Sequence, residues 1–201
     1  MKIKICGLTN KKEAGYLNSN QVDFAGMVLF FTKSKRCISI EQAKEIMSAL
    51  DKEIKKVAVV VEPSIDQVRE IEQAGFDYIQ IHGRLQESLL EQVKLPVLKA
   101  FNIKDMDEYE RYHTNPKIVG YVFDAQEPGS GKTFDWSLVK HIPRDEKMFF
   151  LAGGLHSGNV REAIHYVKPD GVDVSSGVEY EDRIGKDEQK IKCFVEQVNS
   201  K

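Results

Sequence analysis

The segments that decide the fold are MFFLAGGL at 148–155 and GVDVSSG at 171–177. In each one, a short apolar run typical of a buried strand ends in a turn rich in glycine or serine. Such a turn exposes backbone N–H groups, and a helix that follows it adds the positive end of its dipole. Either turn alone is more often an ordinary tight turn. As a pair they predict a phosphate site formed by Gly153, Gly154, Asp173, Ser175 and Ser176.

Apolar runs rich in β-branched residues recur along the whole chain. They occupy residues 3–6, 24–29, 57–61, 78–81, 97–101, 118–123, 148–151 and 171–174. Eight such runs in 201 residues give a period of about 25 residues, a compact form of the (β/α)8 repeat. The pattern predicts an α/β fold, a single-domain (β/α)8 TIM barrel over residues 1–201. An open doubly wound sheet shows the same alternation, but it is disfavoured because no glycine fingerprint follows the first run.

Local signals place several boundaries between helices and loops. Asn10, with Glu13 three residues later, predicts a capping box at the first helix, and Ser64 predicts a cap at the third. Gly75 is expected to end that third helix. The longest irregular stretch, at 125–133, follows the sixth run and is predicted to be a functional loop.

Composition argues against several classes of partner. The chain carries 29 basic and 31 acidic residues for a net charge of −2, which favours neither a nucleic acid nor a membrane surface. It has no signal-peptide pattern and no apolar stretch of about 18 residues that would span a membrane. Its three cysteines, Cys6, Cys37 and Cys193, are far apart and odd in number, which favours reduced thiols. We therefore expect a cytoplasmic protein without a metal site.

Side chains at the carboxyl ends of parallel strands converge on one face of a barrel, so polar residues there are candidates for chemistry. Cys6, His82 and Asp124 follow or end the first, fourth and sixth runs. A cysteine at such a place is more often an inert core residue, and a histidine is as often satisfied by backbone. A carboxylate beside an apolar run needs a partner or a role, so both interpretations stay open for Asp124. Arg36, in a basic loop after the second run, is a candidate contact for an anionic substrate.

Six motifs occur in the order found in one enzyme family. They are KICGLT at 4–9, KSKR at 33–36, QIHG at 80–83, GSGKTFDW at 129–136, LAGGLHSGNV at 151–160 and GVDVSSGVE at 171–179. Through them the chain resembles, from end to end, phosphoribosylanthranilate isomerase, a (β/α)8 barrel of tryptophan biosynthesis. The chain departs from the family at Cys37, where tyrosine is frequent, near Ser157, where proline is frequent, and at 184–187, which reads IGKD rather than a stretch like PGKK.

The resemblance implies an Amadori rearrangement, in which N-(5-phosphoribosyl)anthranilate becomes 1-(2-carboxyphenylamino)-1-deoxyribulose 5-phosphate without a cofactor. It makes Cys6 the general base and Asp124 the general acid, places Arg36 against the anthranilate carboxylate, and gives the sugar phosphate to the two turns. His82 becomes a further substrate contact. For these roles we expect the pKa of Asp124 to be raised by apolar surroundings. We expect the pKa of Cys6 to be lowered by the phosphate site and Arg36.

The expected partner is a small phosphorylated molecule, and the expected assembly is a monomer or a homodimer. Two rival functions use similar phosphate turns. A lyase related to indoleglycerol-phosphate synthase would need a lysine acid and a glutamate, where this chain offers Cys6 and Asp124. A phosphosugar-binding barrel that has lost catalysis would not be expected to retain both Cys6 and Asp124. The isomerase is therefore the preferred hypothesis.

Overall fold

The computed structural model describes residues 1–102, 108–125 and 133–200. Within these ranges eight parallel strands close into a barrel, and one further short strand, β3, pairs with β2. The strands are β1 (Lys2–Cys6), β2 (Phe24–Leu29), β3 (Cys37–Ile38), β4 (Lys55–Val61), β5 (Tyr78–His82), β6 (Val97–Asn102), β7 (Ile118–Asp124), β8 (Met148–Leu151) and β9 (Gly171–Val174). Because β1 pairs with both β2 and β9, the sheet has closed on itself. The predicted (β/α)8 fold is confirmed, and each of the eight apolar runs forms a barrel strand.

Helices cover the outside of the barrel. They are α1 (Lys12–Ser19), α2 (Ile40–Met47), α3 (Ile65–Ala74), α4 (Glu87–Gln92), α5 (Tyr109–His113), α6 (Ser137–Lys140), α7 (Val160–Val167) and α8 (Glu188–Asn199). Each buries an apolar stripe, as Ile191 and Phe194 of α8 show, which are fully buried at one helical turn's spacing. In the part of the chain that the structure describes, no helix is both long enough and apolar enough to cross a membrane.

The predicted boundaries of α3 are confirmed. Ser64 caps the helix: its hydroxyl accepts from Gln67 N at 3.3 Å, and the Gln67 side chain accepts from Ser64 N at 2.9 Å. This reciprocal pair satisfies two donors that the first turn would leave without a partner. Gly75 ends the helix with a φ of 90°, a left-handed conformation that costs glycine little.

The capping box predicted at Asn10 and Glu13 is wrong. Asn10 Oδ1 accepts from Lys12 N at 3.1 Å, so it forms a turn before α1 rather than a cap on it. The Glu13 carboxylate instead accepts from Thr9 N at 2.7 Å and from Lys186 N at 2.8 Å. Glu13 is buried by these contacts. It therefore ties the loop after β1 to the loop after β9.

The inside of the barrel changes from apolar to polar toward the carboxyl ends of the strands. Its apolar part is a cluster formed by Phe24, Val57, Val59, Leu98, Ala100, Val122, Phe150 and Ala152. Since side chains alternate along a strand, the intervening positions pack against the helices. Nearer the carboxyl ends, the inward positions carry Cys6, Gln80, His82, Asp124 and Asp173. The barrel core thus supports a polar site at one end only.

The functional loop predicted at 125–133 falls mostly outside the described residues. Of that stretch, the structure describes only Ala125 and Thr133. The GSGKTFDW motif is likewise described only from Thr133 onward, and it leads into α6 through Trp136. The prediction of a functional loop here stays a prediction.

Candidate active site

A cavity of about 660 Å³ opens at the carboxyl ends of the barrel strands. All nine residues that the sequence singled out line it, namely Cys6, Arg36, His82, Asp124, Gly153, Gly154, Asp173, Ser175 and Ser176. They come from four strand ends and from the loops after β2, β8 and β9. The fold therefore joins groups that lie at opposite ends of the sequence.

The turns after β8 and β9 pack against each other on one side of the cavity. Gly153 and Gly154 have φ values of 81° and 64°, which residues with a side chain rarely adopt. The turn after β9 contains Gly177, where a Cβ atom would collide with the carbonyl oxygen of Leu155. The close approach of the two turns therefore depends on glycine in both.

Only the second turn leads directly into helical backbone. A 3-10 helix spans Ser176–Val178, whereas α7 begins only after its cap residue Asn159. Between Gly154 and α7 the chain makes a separate turn, in which Asn159 Oδ1 accepts from His156 N at 2.8 Å. A helix follows the glycine pair, as expected, but only after this separate turn. The 3-10 helix begins at Ser176, which lines the cavity.

The Cys6 thiol lies beside a buried ion pair. Lys4, two positions earlier on the same face of β1, is fully buried, and its Nζ donates to Asp173 Oδ2 at 2.7 Å. The two residues are direct neighbours in the parallel pairing of β1 with β9. The other carboxylate oxygen, Asp173 Oδ1, is buried and has no hydrogen-bond partner among the described residues. It belongs to a side chain that lines the cavity.

The environment of Cys6 differs from the expected one. Burial raises the pKa of the Cys6 thiol above its ordinary value; the charge of Lys4 opposes the rise, and that of Asp173 adds to it. Lys186 makes a smaller opposing contribution. The expected lowering of this pKa by Arg36 is therefore wrong, and the main cation acting on the thiol is Lys4. The sequence argument missed it because it looked to loops rather than along β1.

Asp124 ends β7 at the wall of the cavity. Its Oδ1 accepts from Ala125 N at 2.8 Å, which fixes the carboxyl group. Burial and the negative charge of Asp173 raise the pKa of Asp124 to about 6. The predicted upward shift is confirmed. A carboxyl with this pKa keeps its proton in part of the molecules near neutral pH and can donate it.

His82 and Gln80 occupy alternate inward positions on β5. Their side chains are in hydrogen-bonding contact, with 2.8 Å between Gln80 Nε2 and His82 Nε2. Burial and the charges of Lys99 and Lys4 lower the pKa of His82 to about 3. The imidazole is therefore neutral near pH 7. It can hydrogen-bond to a ligand, but it adds no positive charge to the site.

Arg36 is held at the mouth of the cavity by Glu179. Arg36 Nη2 donates to Glu179 Oε2 at 3.1 Å, and the same carboxylate pairs with Lys35 Nζ at 3.0 Å and Lys186 Nζ at 3.1 Å. Lys186 is fully buried and also donates to Ser175 O at 3.1 Å. This chain of ion pairs joins the loop after β2 to the turn after β9, so it fixes the anion-binding groups relative to each other.

Four polar residues that shape the site were missed by the sequence analysis: Lys4, Gln80, Glu179 and Lys186. The first two lie two positions before Cys6 and His82, so the period of a strand could have placed them on the same inner face. The other two lie in irregular segments, where no period predicts the direction of a side chain. Lys186 belongs to the stretch 184–187, where the chain departs from the family; in it Ile184 is exposed, whereas Lys186 is buried beneath Ser175.

The described residues contain no group of three or more His, Cys, Asp or Glu side chains placed to hold a metal ion. Within the same residues Cys6, Cys37 and Cys193 are free thiols. The chemistry that the described residues offer in the cavity is that of a thiol, a carboxyl group of raised pKa and a set of anion-binding groups.

Comparison with known proteins identifies the family. The family described as N-(5'-phosphoribosyl)anthranilate (PRA) isomerase matches residues 3–197. The chain belongs to this family. Among its curated members, the N-(5'-phosphoribosyl)anthranilate isomerase of Streptococcus gordonii is 40% identical over 202 residues, covering 98% of this chain and 97% of the relative. The resemblance drawn from the six motifs is thereby confirmed.

Solved structures of PRA isomerases share the same barrel. The dimeric enzyme from Thermotoga maritima, crystallised as monomers, matches with a TM-score of 0.83 and 34% identity over 98% of this chain and 97% of its own. A second isomerase was solved in complex with reduced 1-(o-carboxyphenylamino)-1-deoxyribulose 5-phosphate. It matches with a TM-score of 0.82 and 33% identity, over 98% of this chain and 97% of its own. The fold is therefore shared at full length.

Proposed function

We propose that this protein catalyses the Amadori rearrangement of N-(5-phosphoribosyl)anthranilate to 1-(2-carboxyphenylamino)-1-deoxyribulose 5-phosphate, a step of tryptophan biosynthesis. The observation that carries the proposal is the single cavity lined by the Cys6 thiol, the Asp124 carboxyl group and two glycine-bearing turns. Membership of the PRA isomerase family supports the same reaction. The ligand of the related complex, a reduced aminodeoxyribulose phosphate, has the size and charge that such a cavity would accept.

The sugar phosphate is proposed to bind the turns at Gly153, Gly154, Ser175 and Ser176. Their conformation leaves backbone N–H groups accessible, and the buried Lys186 ammonium beneath Ser175 makes the local potential more positive. The phosphate is remote from the carbons that react. Its binding energy is therefore available to hold those carbons against the acid and the base.

Three side chains are proposed to hold the rest of the substrate. Arg36 presents a planar guanidinium group, already oriented by Glu179, to the anthranilate carboxylate. His82 is neutral and serves as a hydrogen-bond partner. Asp173 Oδ1 would accept a hydrogen bond from a sugar hydroxyl, which would satisfy a buried oxygen that has no partner among the described residues.

Asp124 is proposed to act first, as the general acid. It transfers its proton to the furanose ring oxygen, while the nitrogen lone pair forms a double bond to C1 and the C1–O bond breaks. The ring opens to a protonated Schiff base. The raised pKa of Asp124 supports this role, because it keeps a share of the carboxyl groups protonated at the pH of the cell.

Cys6 is proposed to act next, as the general base. The thiolate takes the proton from C2, the electron pair of the broken C–H bond moves between C1 and C2, and the C1–N π pair returns to nitrogen. The resulting enolamine tautomerises to the ketone. Protons move and no electrons leave the substrate, so the reaction balances without a redox cofactor, and we propose that none is used.

The test is turnover of freshly prepared N-(5-phosphoribosyl)anthranilate, followed by the loss of its fluorescence. Rapid loss that depends on the protein, with formation of the ketone product, is the expected result. Binding of a phosphosugar with no turnover would instead support the non-catalytic barrel. Release of carbon dioxide from the carboxyphenylamino product would support the lyase related to indoleglycerol-phosphate synthase.

We further propose that the protein is one barrel domain in the cytoplasm and functions as a monomer or a homodimer. The free thiols of its three cysteines support a reducing compartment. The T. maritima relative is described as dimeric. Light scattering on the purified chain would distinguish one copy from two.

A further inference from the structure

The buried ammonium group of Lys4 and the sulfur of Cys6 both lie beside Gly26. The two side chains share the inner face of β1, and Gly26 of β2 stands opposite Cys6 in the sheet. A Cβ atom at Gly26 would lie 3.0 Å from Cys6 Sγ and 3.2 Å from Lys4 Nζ. Thiol and ammonium therefore converge on the space that the missing side chain leaves.

Lys4 is positioned by Asp173. Burial alone would lower the pKa of Lys4, but the carboxylate of Asp173 and the thiol of Cys6 hold it above its ordinary value. Strands β9 and β2 flank β1 on its two sides. The 2.7 Å contact with Asp173 Oδ2 therefore fixes the ammonium from the β9 side, whereas Gly26 lies on the β2 side. An apolar pair of similar volume would stabilise a barrel core about as well as a buried ion pair. The pair therefore points to a role in the site.

We propose that Lys4, fixed by Asp173, is the positioning residue of the base: it stabilises the Cys6 thiolate and holds the sulfur toward C2 of the substrate. This inference rests on the proposed function, which gives the thiol its role as base. When the C2–H bond breaks and the S–H bond forms, the sulfur loses its negative charge and Lys4 keeps its proton. Lys4 thus acts through Cys6 and exchanges no atom with the substrate.

Other charged and titratable groups surround this cluster. Asp173 on β9 lies beside Lys4, and Lys186 approaches the thiol from the loop after β9. Across the cavity, the charge of Lys4 also acts on His82 of β5 and Asp124 of β7. Of the groups that act on Cys6, Lys4 and Asp173 have the strongest charge effects, and those effects are opposite in sign. Because the two effects have opposite signs, removing each charge in turn should shift the pKa of Cys6 in opposite directions.

The test measures the ionisation of the Cys6 thiol directly. In a background where Cys37 and Cys193 are alanine, the rate of alkylation by iodoacetamide is followed against pH, together with the ultraviolet absorbance of the thiolate. Lys4→Met removes the charge from a side chain of similar length. We expect the midpoint to rise by about one pH unit or more, so that at least about tenfold less thiolate is present at neutral pH.

Asp173→Asn supplies the opposite arm. The amide oxygen of asparagine can still accept from Lys4 Nζ and hold the ammonium in place, but the negative charge that raises the pKa of Cys6 is gone, so the midpoint should fall below that of the parent. The double variant Lys4→Met/Asp173→Asn should lie between the two single variants. Lys99→Met is the matched control, because Lys99 is also a buried barrel lysine but donates to Gly83 O and Ala100 O, away from the thiol. Its midpoint should equal that of the parent.

Shifts of opposite sign in the two single variants would support the proposal, because a purely structural role would move both in the same direction or neither. Equal midpoints in the parent and Lys4→Met would overturn it. If Lys4→Met does not fold, Lys4→Gln, which also removes the charge but keeps a polar end group, takes its place, and a midpoint equal to that of the parent overturns the proposal. Since alkylation needs no substrate, opposite shifts in a protein without isomerase activity would refute the function and leave the thiol–ammonium pair intact.

Discussion

The guanidinium group of Arg36 and the carboxylate of Glu179, which lie 143 positions apart in sequence, form a hydrogen-bonded ion pair at the mouth of the cavity. Burial alone would raise the pKa of Glu179, but the hydrogen bonds from Arg36 and Lys35 and the charge of Lys186 lower it to about 2. The carboxylate is therefore ionised at any physiological pH. Its charge is shared among three cations, which leaves the group as a whole positive toward an anionic substrate.

The first prediction follows from that pair. Glu179→Gln should release Arg36 and raise KM for N-(5-phosphoribosyl)anthranilate by about tenfold, with a smaller effect on kcat, because a partner that orients the substrate contact is lost. Steady-state kinetics would measure the split. Glu181→Gln is the control: that exposed carboxylate pairs with Lys190, so its loss should leave both constants unchanged. A change in kcat alone would contradict the assignment.

The second prediction concerns the acid. Asp124→Asn keeps the shape of the side chain and its hydrogen bond from Ala125 N, but it cannot deliver a proton. Turnover should fall by roughly two to four orders of magnitude. Competitive inhibition by the product should change little, which would show that the cavity is intact. Near-normal turnover would remove Asp124 from the mechanism.

The third prediction is that the same variant is more stable than the parent at neutral pH. The pKa of Asp124 rises from 3.8 to about 6 on folding, so the unfolded chain ionises first as pH increases. The folded state loses stability as pH rises from about 4 to about 6, and the penalty then stays constant, at about 3 kcal/mol. Asp124→Asn removes it. Thermal unfolding should show a higher Tm for Asp124→Asn than for the parent at pH 7 to 8, and no difference in Tm below about pH 4. An equal increase in Tm in both pH ranges would contradict the raised pKa of Asp124.

The fourth prediction concerns the phosphate turns. Inorganic phosphate and sulfate should inhibit competitively, and Gly154→Val should weaken that inhibition, because a β-branched side chain cannot adopt a φ of 64° without strain and would block the approach of the anion. Gly75→Ala, at a helix end far from the cavity, is a control for strain at positive φ alone. A crystal grown in sulfate should hold the anion between the turns. Density elsewhere, with the turns empty, would refute the site.

The fifth prediction concerns the base. Cys6→Ser should nearly abolish turnover, because a hydroxyl group ionises far less readily than a thiol even with Lys4 beside it. The two side chains are close in size, so inhibition by phosphate should survive. Cys193→Ser, on α8 and away from the cavity, should keep full activity. Retained turnover in Cys6→Ser would mean that another group takes the C2 proton.

The strands and the position of the site could be predicted from sequence because both depend on residue types that are adjacent along the chain. An apolar, β-branched run such as 118–123 specifies a buried strand, and its final carboxylate, Asp124, follows from the position alone. The raised pKa of that carboxylate could be predicted as well, since it comes mainly from burial.

The electrostatics of Cys6 could not be predicted in the same way. They depend on Asp173 lying beside Lys4, a juxtaposition that exists only once β9 has paired with β1. Similarly, the pattern of residues 10–13 is local and resembles a helix cap, but Glu13 also accepts from Lys186 N, which comes from the far end of the chain. Long-range pairing decided both cases.

The closure of the barrel by β9 has a consequence for how an active molecule is made. Translation releases Lys4 and Cys6 from the ribosome long before Asp173, Ser175 and Lys186, because these residues lie at opposite ends of the chain. Until β9 inserts between β8 and β1, the Lys4 ammonium lacks its carboxylate and the turn that would hold the phosphate does not exist. A newly synthesised chain therefore cannot bind a phosphorylated metabolite at this site until its last strand has joined the barrel.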